Sequence, residues 1–285
     1  MKKLLLVICM LSTGSLCWAQ ATAPSLGTAA TFAVLGSSNV TCTAPGVISG
    51  DVGVSPGVFT NTTGCLIVGT VHQGDPAATN ALAALKTAYA NALVANSSCT
   101  SSLAAAPGAS FTLGPGVYCN TGAPGLTFTT ITLTLDAGGN ANAVWVFKID
   151  AALTGTGFKV VMANGGQPCN VYWLVGADST LTTSTFQGNI LAGGPTGSFT
   201  STGGTLIGRV LANGAVTMTG PNIHGTCAIA AQGGGGGTGG TGCDADDKDE
   251  HHHHKDKDKD RDHDKDKDKD KDKDKDKDKD KDHND

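Results

Sequence analysis

Residues 182–188 read Thr-Thr-Ser-Thr-Phe-Gln-Gly, and the pattern returns at residues 202–208 as Thr-Gly-Gly-Thr-Leu-Ile-Gly. A third copy, Thr-Gly-Pro-Asn-Ile-His-Gly, occupies residues 219–225. Each copy begins with Thr, has Thr or Asn three positions later and ends in Gly. A repeat of roughly 20 residues, built from short β-type runs and glycine corners, predicts a solenoid whose coils stack on one another.

Stacked coils place equivalent residues in ranks, because neighbouring strands lie roughly 4.7–4.9 Å apart. The predicted ranks are Thr182, Thr202 and Thr219, and Thr185, Thr205 and Asn222. Such ranks present methyl and hydroxyl groups on a rigid lattice, which suits a repetitive, neutral, crystalline partner. In an ideal strand, positions i and i+3 point to opposite faces. Thr202 and Thr205 can therefore share a face only if the chain bends at the two glycines between them.

The first 19 residues are typical of a signal peptide. Two lysines are followed by an apolar run over residues 4–16, and cleavage is expected after Ala19. The apolar run is too short to span a bilayer. We therefore predict a secreted protein with no membrane insertion. Lipoprotein processing at Cys17 is an alternative that the bulky Leu16 disfavours.

Charge is scarce between residues 20 and 232. The acidic and basic side chains of this region are Asp51, Asp75, Asp136, Asp150, Asp178, Lys86, Lys148, Lys159 and Arg209. This is far below the usual share of roughly a quarter. The surface is predicted to consist of hydroxyls, methyls and backbone, with no basic patch for nucleic acid. The length suits one domain over residues 20–232.

Seven cysteines follow residue 19. They are Cys42, Cys65, Cys99, Cys119, Cys169, Cys227 and Cys243. An exported protein normally oxidises its cysteines, although sequence alone does not fix their pairing. The pairing expected here joins Cys42 to Cys65, Cys99 to Cys119 and Cys169 to Cys227, leaving Cys243. A metal site is the alternative, but no two cysteines have the close spacing of a zinc pair.

One long helix is predicted over about residues 76–96. Asp75 is a natural N-cap and Pro76 a natural first helical residue. Such a helix is roughly 30 Å long, which lets it lie along a solenoid. A membrane-surface helix is the alternative, disfavoured because Lys86 is its only cation.

From Phe111 onward the chain is predicted to be almost entirely β. The runs 143–149 and 170–175 are dense enough in apolar residues to be core strands. Trp145, Tyr172 and Trp173 within these runs are expected in the core. A sugar-binding groove lined by the same rings is the alternative.

Catalytic groups are few. The folded part has two histidines, His72 and His224, and no close pair of carboxylates. Acid–base or nucleophilic mechanisms need two or three such groups converging. Asp51, which lies beside a glycine, is expected to bond turn amides, with no catalytic partner evident nearby. We predict a protein that is not an enzyme and needs no cofactor or metal.

The C-terminal part differs in composition from the rest. Residues 233–243 are predicted to be a flexible Gly-rich linker. Residues 244–285 alternate Lys and Asp and are predicted to be disordered. A solubilising tail is the simplest interpretation; weak attraction of cations or envelope polymers is an alternative. The run from His251 to His254 could bind metal.

Several spaced motifs together carry a family resemblance. They are residues 47–57, 170–176, 186–192 and 208–218. In this order they resemble the bacterial and fungal ice-binding (antifreeze) proteins built as a β-solenoid with a flanking helix. The resemblance covers about residues 26–229.

The resemblance implies a mainly β fold, a right-handed β-solenoid of triangular section with one long α-helix packed alongside. It also implies a flat face that contacts ice, often bearing the motif Thr, Ala/Gly, any residue, Thr/Asn. Residues 202–205 and 219–222 fit this motif, whereas residues 182–185 depart from it at Thr183. The implied ice-binding residues are Thr182, Thr185, Thr202, Thr205, Thr219 and Asn222. We expect a monomer; a cell-surface adhesin or polysaccharide-binding module is the alternative function.

Overall fold

The computed structural model describes residues 20–225. The predicted signal peptide, linker and tail, and with them Cys227, Cys243 and the histidine run, lie outside these residues. A 3₁₀ helix (Gly27–Thr31) precedes seven strands: β1 (Phe32–Gly36), β2 (Asn39–Cys42), β3 (Val47–Ser49), β4 (Asp51–Val54), β5 (Val58–Asn61), β6 (Leu66–Val68) and β7 (Val71–Gln73).

Helix α1 (Pro76–Ala95) follows. The strands after it are β8 (Ser101–Ser102), β9 (Phe111–Leu113), β10 (Gly116–Asn120), β11 (Gly125–Thr129), β12 (Thr132–Asp136), β13 (Trp145–Ile149), β14 (Ala152–Thr156), β15 (Lys159–Ala163), β16 (Val171–Val175), β17 (Ser179–Thr182), β18 (Thr185–Gln187), β19 (Asn189–Ala192), β20 (Phe199–Thr202), β21 (Thr205–Ile207), β22 (Val210–Ala212), β23 (Val216–Thr219) and β24 (Asn222–His224). A second 3₁₀ helix, Pro168–Asn170, precedes β16.

The strands form three parallel sheets, which confirms the predicted solenoid. Sheet A has nine strands in the order β7-β4-β1-β22-β19-β16-β13-β10-β8. Sheet B has seven strands in the order β11-β14-β17-β20-β23-β2-β5. Sheet C has eight strands in the order β6-β3-β24-β21-β18-β15-β12-β9. Most coils contribute one strand to each sheet in turn, and the strands are two to five residues long, many of them ending at a corner that contains glycine or proline.

The sheet order shows that the chain does not stack its coils in sequence order. The first coil, β1 to β3, lies between the second coil and the last coil, β22 to β24. Val34 of β1 pairs with Val210 of β22, and Val40 of β2 pairs with Val216 of β23. The two ends of the described chain therefore meet inside the stack, and helix α1 connects β7 at one end of sheet A to β8 at the other.

Helix α1 covers the outer surface of sheet A. Its bounds agree with the predicted 76–96, and Asp75 caps it by accepting a hydrogen bond from the Ala78 N–H at 2.9 Å. Leu82 and Leu85 pack with Leu174 and Leu191 of sheet A in one buried cluster. Small alanines beside them let the helix backbone approach the sheet closely. Sheet A is thus buried on both faces, while sheets B and C keep an outer face toward solvent.

Aromatic rings fill the middle of the solenoid. Phe147 stacks on Trp173 with ring centroids 3.9 Å apart. Trp145 and Trp173 are fully buried and Tyr172 nearly so, which confirms them as core residues. The Trp145 Nε1–H donates to the Leu113 carbonyl at 3.2 Å, so its buried polar group is satisfied.

Two of the three expected disulfides are present. Cys42 is bonded to Cys65, and Cys99 to Cys119. Both bonds join neighbouring coils near an end of the stack. Cys169 is buried, and its expected partner, Cys227, lies outside the described residues.

Candidate functional site

The outer face of sheet B carries an unbroken rank of threonines. Every strand of this seven-stranded sheet contributes one threonine, and the strand registers align each with the next. This long rank consists of Thr127, Thr154, Thr180, Thr200, Thr217, Thr41 and Thr60. All seven side chains are exposed or half-buried. The rank forms because every strand has a Thr at an outward-facing position, since alternate residues of a strand point to opposite faces of the sheet.

A second rank runs parallel to the first, two residues further along each strand. This short rank consists of Thr129, Thr156, Thr182, Thr202 and Thr219. Thr43 extends it, because the Thr43 and Thr219 hydroxyl oxygens lie 2.9 Å apart. The predicted rank of Thr182, Thr202 and Thr219 is therefore confirmed as a rank, and the structure lengthens it in both directions.

The two ranks form a lattice of fixed dimensions. Along a strand, residues two apart are separated by roughly 6.6–6.8 Å, and across the strands the spacing is roughly 4.7–4.9 Å. No strand of sheet B contains a charged residue. Beneath the lattice, Phe128, Phe199 and Met218 are fully or almost fully buried. A packed core thus holds the hydroxyl and methyl groups in a rigid and neutral array.

The six residues predicted as ice-binding are divided between two sheets. Thr182, Thr202 and Thr219 end strands of sheet B, whereas Thr185, Thr205 and Asn222 begin strands of sheet C. Thr185 pairs with Thr205 in the sheet C register. The six side chains therefore lie on both sides of the corner between sheets B and C, and do not share one flat sheet.

The backbone at this corner explains the division. Gly203 has a φ of +59° and Thr183 a φ of +45°, and each follows the last Thr of its strand. A residue in the left-handed region turns the chain sharply, which favours glycine. The expected bend between Thr202 and Thr205 is real, but it changes sheet instead of returning both side chains to one face.

Sequence reasoning missed most of the lattice. The predicted ranks contain Thr202 but not Thr200, although the alternation of residues 199–202, Phe-Thr-Ser-Thr, carries both threonines on one face. The signal that identifies the ranks is Thr at positions i and i+2 of successive short strands. Thr127 and Thr129, and Thr154 and Thr156, show the same spacing.

One cluster of titratable groups lies elsewhere, where β4, β7 and the start of helix α1 meet. The His72 Nδ1 atom is 2.7 Å from Asp75 Oδ2, and its Nε2 atom is 4.0 Å from Asp51 Oδ2. Asp51 also accepts a hydrogen bond from the Thr70 N–H, as expected of a turn carboxylate. The coil spacing thus brings His72, which is 21 positions away in sequence, beside Asp51, where no neighbour in sequence offers a partner.

Hydrogen bonds set the electrostatics of this cluster. The Ala78 N–H, and after it the His72 side chain, hold the pKa of Asp75 below its ordinary value of 3.8. A groove of about 230 Å³ adjoins the cluster and is lined by Thr28, Thr31, Phe32, His72, Ala77 and Asn80. Both ring nitrogens of His72 face carboxylates, so the imidazole is engaged in holding β7 to the start of the helix.

The described part of the chain has neither a cluster of metal-ligating side chains nor a membrane-spanning helix. Among residues 20–225, no group of three His, Cys, Asp or Glu side chains is placed to hold a metal ion. Within the same residues, helix α1 included, no helix has both the length and the apolar character that a membrane crossing requires.

Comparisons with known proteins agree on one family. A sequence model described as ice-binding-like matches residues 34–224. An ice-binding protein of Nostoc sp. (strain HG1) is 39% identical over 211 residues, which cover 71% of this chain and 74% of the relative. The crystal structure of an ice-binding protein from an Antarctic biological consortium matches with a TM-score of 0.61 and 34% identity, covering 71% of this chain and 90% of that chain. A glycosylated ice-binding protein from an Arctic yeast matches with a TM-score of 0.63 and 26% identity, covering 75% and 98%.

Proposed function

The chain belongs to the ice-binding-like family, and we propose that it adsorbs to ice through the threonine lattice on the outer face of sheet B. The observation that carries the proposal is the long rank, in which every strand of the sheet places a threonine in register. A repeating, neutral and rigid array matches a partner that is itself repeating, neutral and rigid.

The mechanism rests on many weak contacts acting together. Threonine hydroxyls hold water molecules in an ordered array, and the methyl groups between them fix the spacing of that array. The held water then merges with the surface layer of the crystal, since a bridging water is nearly as good as a direct hydrogen bond. Because all contacts form on one rigid body, their effects combine as in multivalent binding. Adsorbed molecules force ice to grow as curved fronts, which lowers the local freezing point and slows recrystallisation.

The predicted site residues keep two distinct roles in this proposal. Thr182, Thr202 and Thr219 belong to the short rank, inside the contact surface. Thr185, Thr205 and Asn222 stand just beyond the corner, on sheet C. We assign them to the rim of the contact surface, where Asn222 and Thr185 are exposed.

The protein is proposed to be non-enzymatic. The Asp51–His72–Asp75 cluster is the candidate for catalysis, and its geometry supports a structural role. Asp75 is engaged as the helix cap, and both ring nitrogens of His72 face carboxylate oxygens. Polysaccharide binding finds less support than ice binding, because Trp145, Tyr172 and Trp173 are buried.

We also propose that the protein is secreted. Residues 1–19 have the composition of a signal peptide, and the described domain contains two disulfides, which form in oxidising compartments. The C-terminal residues 244–285 have no assigned part in ice contact.

The test measures thermal hysteresis and recrystallisation inhibition of the mature protein, with and without Thr200→Tyr. Thr200 is exposed near the centre of the long rank. A phenol ring there stands above the lattice and keeps the ice surface away, so the variant should lose most of the hysteresis. If the unmodified protein shows neither thermal hysteresis nor recrystallisation inhibition, the proposed function is contradicted.

Thr87→Tyr is the matched control. Thr87 is exposed on the outer side of helix α1, and its hydroxyl only donates to the Ala83 carbonyl within the helix. The control makes the same chemical change away from sheet B and should retain the full hysteresis. Circular dichroism of all three proteins should be identical. Equal loss in both variants contradicts the assignment of the face.

A further inference from the structure

The corners between sheets B and C differ in what they place inside the solenoid. Each corner spans four residues, from the last residue of a sheet B strand to the first residue of a sheet C strand. The third of these four residues is Phe158, Ser184 and Gly204 in three successive coils, which the registers on either side align. Phe158 and Ser184 are buried. The corner at Gly204 has no side chain at this position.

At the middle of these corners the hydroxyl of Ser184 links coils. Its single hydroxyl proton is shared between the carbonyls of Thr182 and Gly155, at 3.0 and 3.2 Å, and its Oγ atom accepts from the Phe158 N–H at 3.3 Å. A polar group inside the corner therefore ties the last residue of a sheet B strand to the coil below. Gly204 supplies no such group to the next coil.

A small cavity lies beneath the Gly204 corner. The centre of a water molecule can move through about 20 Å³ of it, which exceeds the roughly 10–15 Å³ that one water needs. Ser184, Ser201, Gly203, Gly204, Thr205 and Asn222 are among the residues that line it. The β21–β24 register begins only at Leu206, one residue later than the β18–β21 register at Thr205.

An unpaired hydroxyl belongs to this cavity. Ser201 points into the solenoid and is 7% exposed. Its Oγ atom is buried and has no hydrogen-bond partner within residues 20–225. A buried polar group without a partner is destabilising, so a site with room for water favours its hydration. Gly203, Gly204 and Asn222 line the same space.

We propose that Ser201 holds one ordered water molecule inside the Gly204 corner and that this water fixes the geometry of the corner that borders the ice-contact surface. The inference rests on the proposed function, because the cavity lies at the corner between Thr202 of the short rank and Thr205 of the rim. The water replaces the polar link that Ser184 makes in the preceding coil. It holds the corner rigid where the glycines supply no side chain, and so keeps Thr202 of the short rank in position.

Two variants test the proposal. Ser201→Ala removes the hydroxyl that holds the water. Ser179→Ala is the matched control, because Ser179 Oγ is also buried without a partner within the described residues, yet Ser179 does not line this cavity. Crystal structures of the parent and both variants are compared, together with thermal hysteresis at equal concentration.

The expected result has three parts. A water lies within hydrogen-bond distance, about 2.7–2.8 Å, of Ser201 Oγ in the parent, remains in Ser179→Ala and is absent from Ser201→Ala. Hysteresis falls at least twofold in Ser201→Ala alone. A dry cavity in the parent overturns the site, and unchanged hysteresis after loss of the water overturns its part in ice contact. A parent without hysteresis overturns the proposed function and that part with it, while the crystal structures still decide whether Ser201 binds water.

Discussion

The hydroxyl oxygens of Thr43 and Thr219 lie 2.9 Å apart although the two residues are 176 positions apart in the chain. Thr43 follows β2 of the first coil, and Thr219 ends β23 of the last coil. Thr41 and Thr217 meet across the same seam in the long rank. The threonine lattice therefore becomes continuous only when the first coil closes on the last one.

Arg209 reinforces this seam from the side of sheet A. Its Nε–H donates to the Ala30 carbonyl at 2.7 Å, and its Nη1 donates to Asn189 Oδ1 at 3.1 Å. Hydrogen bonds from charged groups contribute about 1.5–3 kcal/mol each. Because Arg209 is only half-buried and water competes for these bonds, Arg209→Met should lower the free energy of unfolding by less than their sum, about 2–4 kcal/mol, measured by urea denaturation. Lys159→Met, an exposed change on sheet C, should stay within about 0.5 kcal/mol of the parent; equal effects contradict the role of Arg209.

Thr217 separates the contributions of methyl and hydroxyl groups. Thr217→Val keeps the branched shape and removes the hydroxyl, whereas Thr217→Ser keeps the hydroxyl and removes the methyl. Because the mechanism uses both groups, each variant should retain only part of the thermal hysteresis. Full hysteresis in the valine variant would show that hydroxyl anchoring of water is unnecessary.

The Cys42–Cys65 disulfide should stabilise the end of the stack formed by β5, β6 and β7. It closes a loop with a sequence separation of 23, for which chain entropy predicts about 3 kcal/mol. Replacing both cysteines by serine should lower Tm by roughly 6–12 °C in a domain of this size. Calorimetry measures the shift. A Tm unchanged by the double replacement contradicts this account.

Acid should destabilise the start of helix α1. The pKa of Asp75 is lowered by the Ala78 N–H and by His72, so its folded-state pKa is below its unfolded value. The stabilisation is present above the ordinary pKa of 3.8 and is lost as pH falls through the lowered value. Asp75→Asn keeps a good N-cap residue and should lose less Tm than the parent between about pH 5 and about pH 2. The same acid-induced loss in both proteins, followed by circular dichroism, would be evidence against this linkage.

Local features of the fold were predictable from sequence because local chemistry determines them. Asp75 and Pro76 define the start of the helix through capping geometry. The two observed disulfides join residues that one coil length brings together. The register of Thr182, Thr202 and Thr219 follows from the repeat itself.

Other features depend on contacts that no local pattern reveals. The insertion of the first coil beside the last depends on pairs such as Val34 with Val210. The meeting of Asp51, His72 and Asp75 likewise depends on how coils stack. The division of the site between two sheets depends on the left-handed turn at Gly203, which the motif suggests only as a bend. The long rank was predictable from the sequence, because threonines recur at positions i and i+2 of successive short strands.

The most direct test of the central claim compares the faces of sheets B and C by uptake into ice. Thr180→Tyr alters the long rank on sheet B, and Val161→Tyr makes a comparable change at an exposed position on sheet C. A seeded solution of fluorescently labelled mature protein is frozen slowly, and the protein in the ice is compared with that left in the liquid. The parent and Val161→Tyr should enter the ice, and Thr180→Tyr should stay in the liquid. Uptake of Thr180→Tyr equal to that of the parent would contradict the assignment of the ice-contact surface to sheet B.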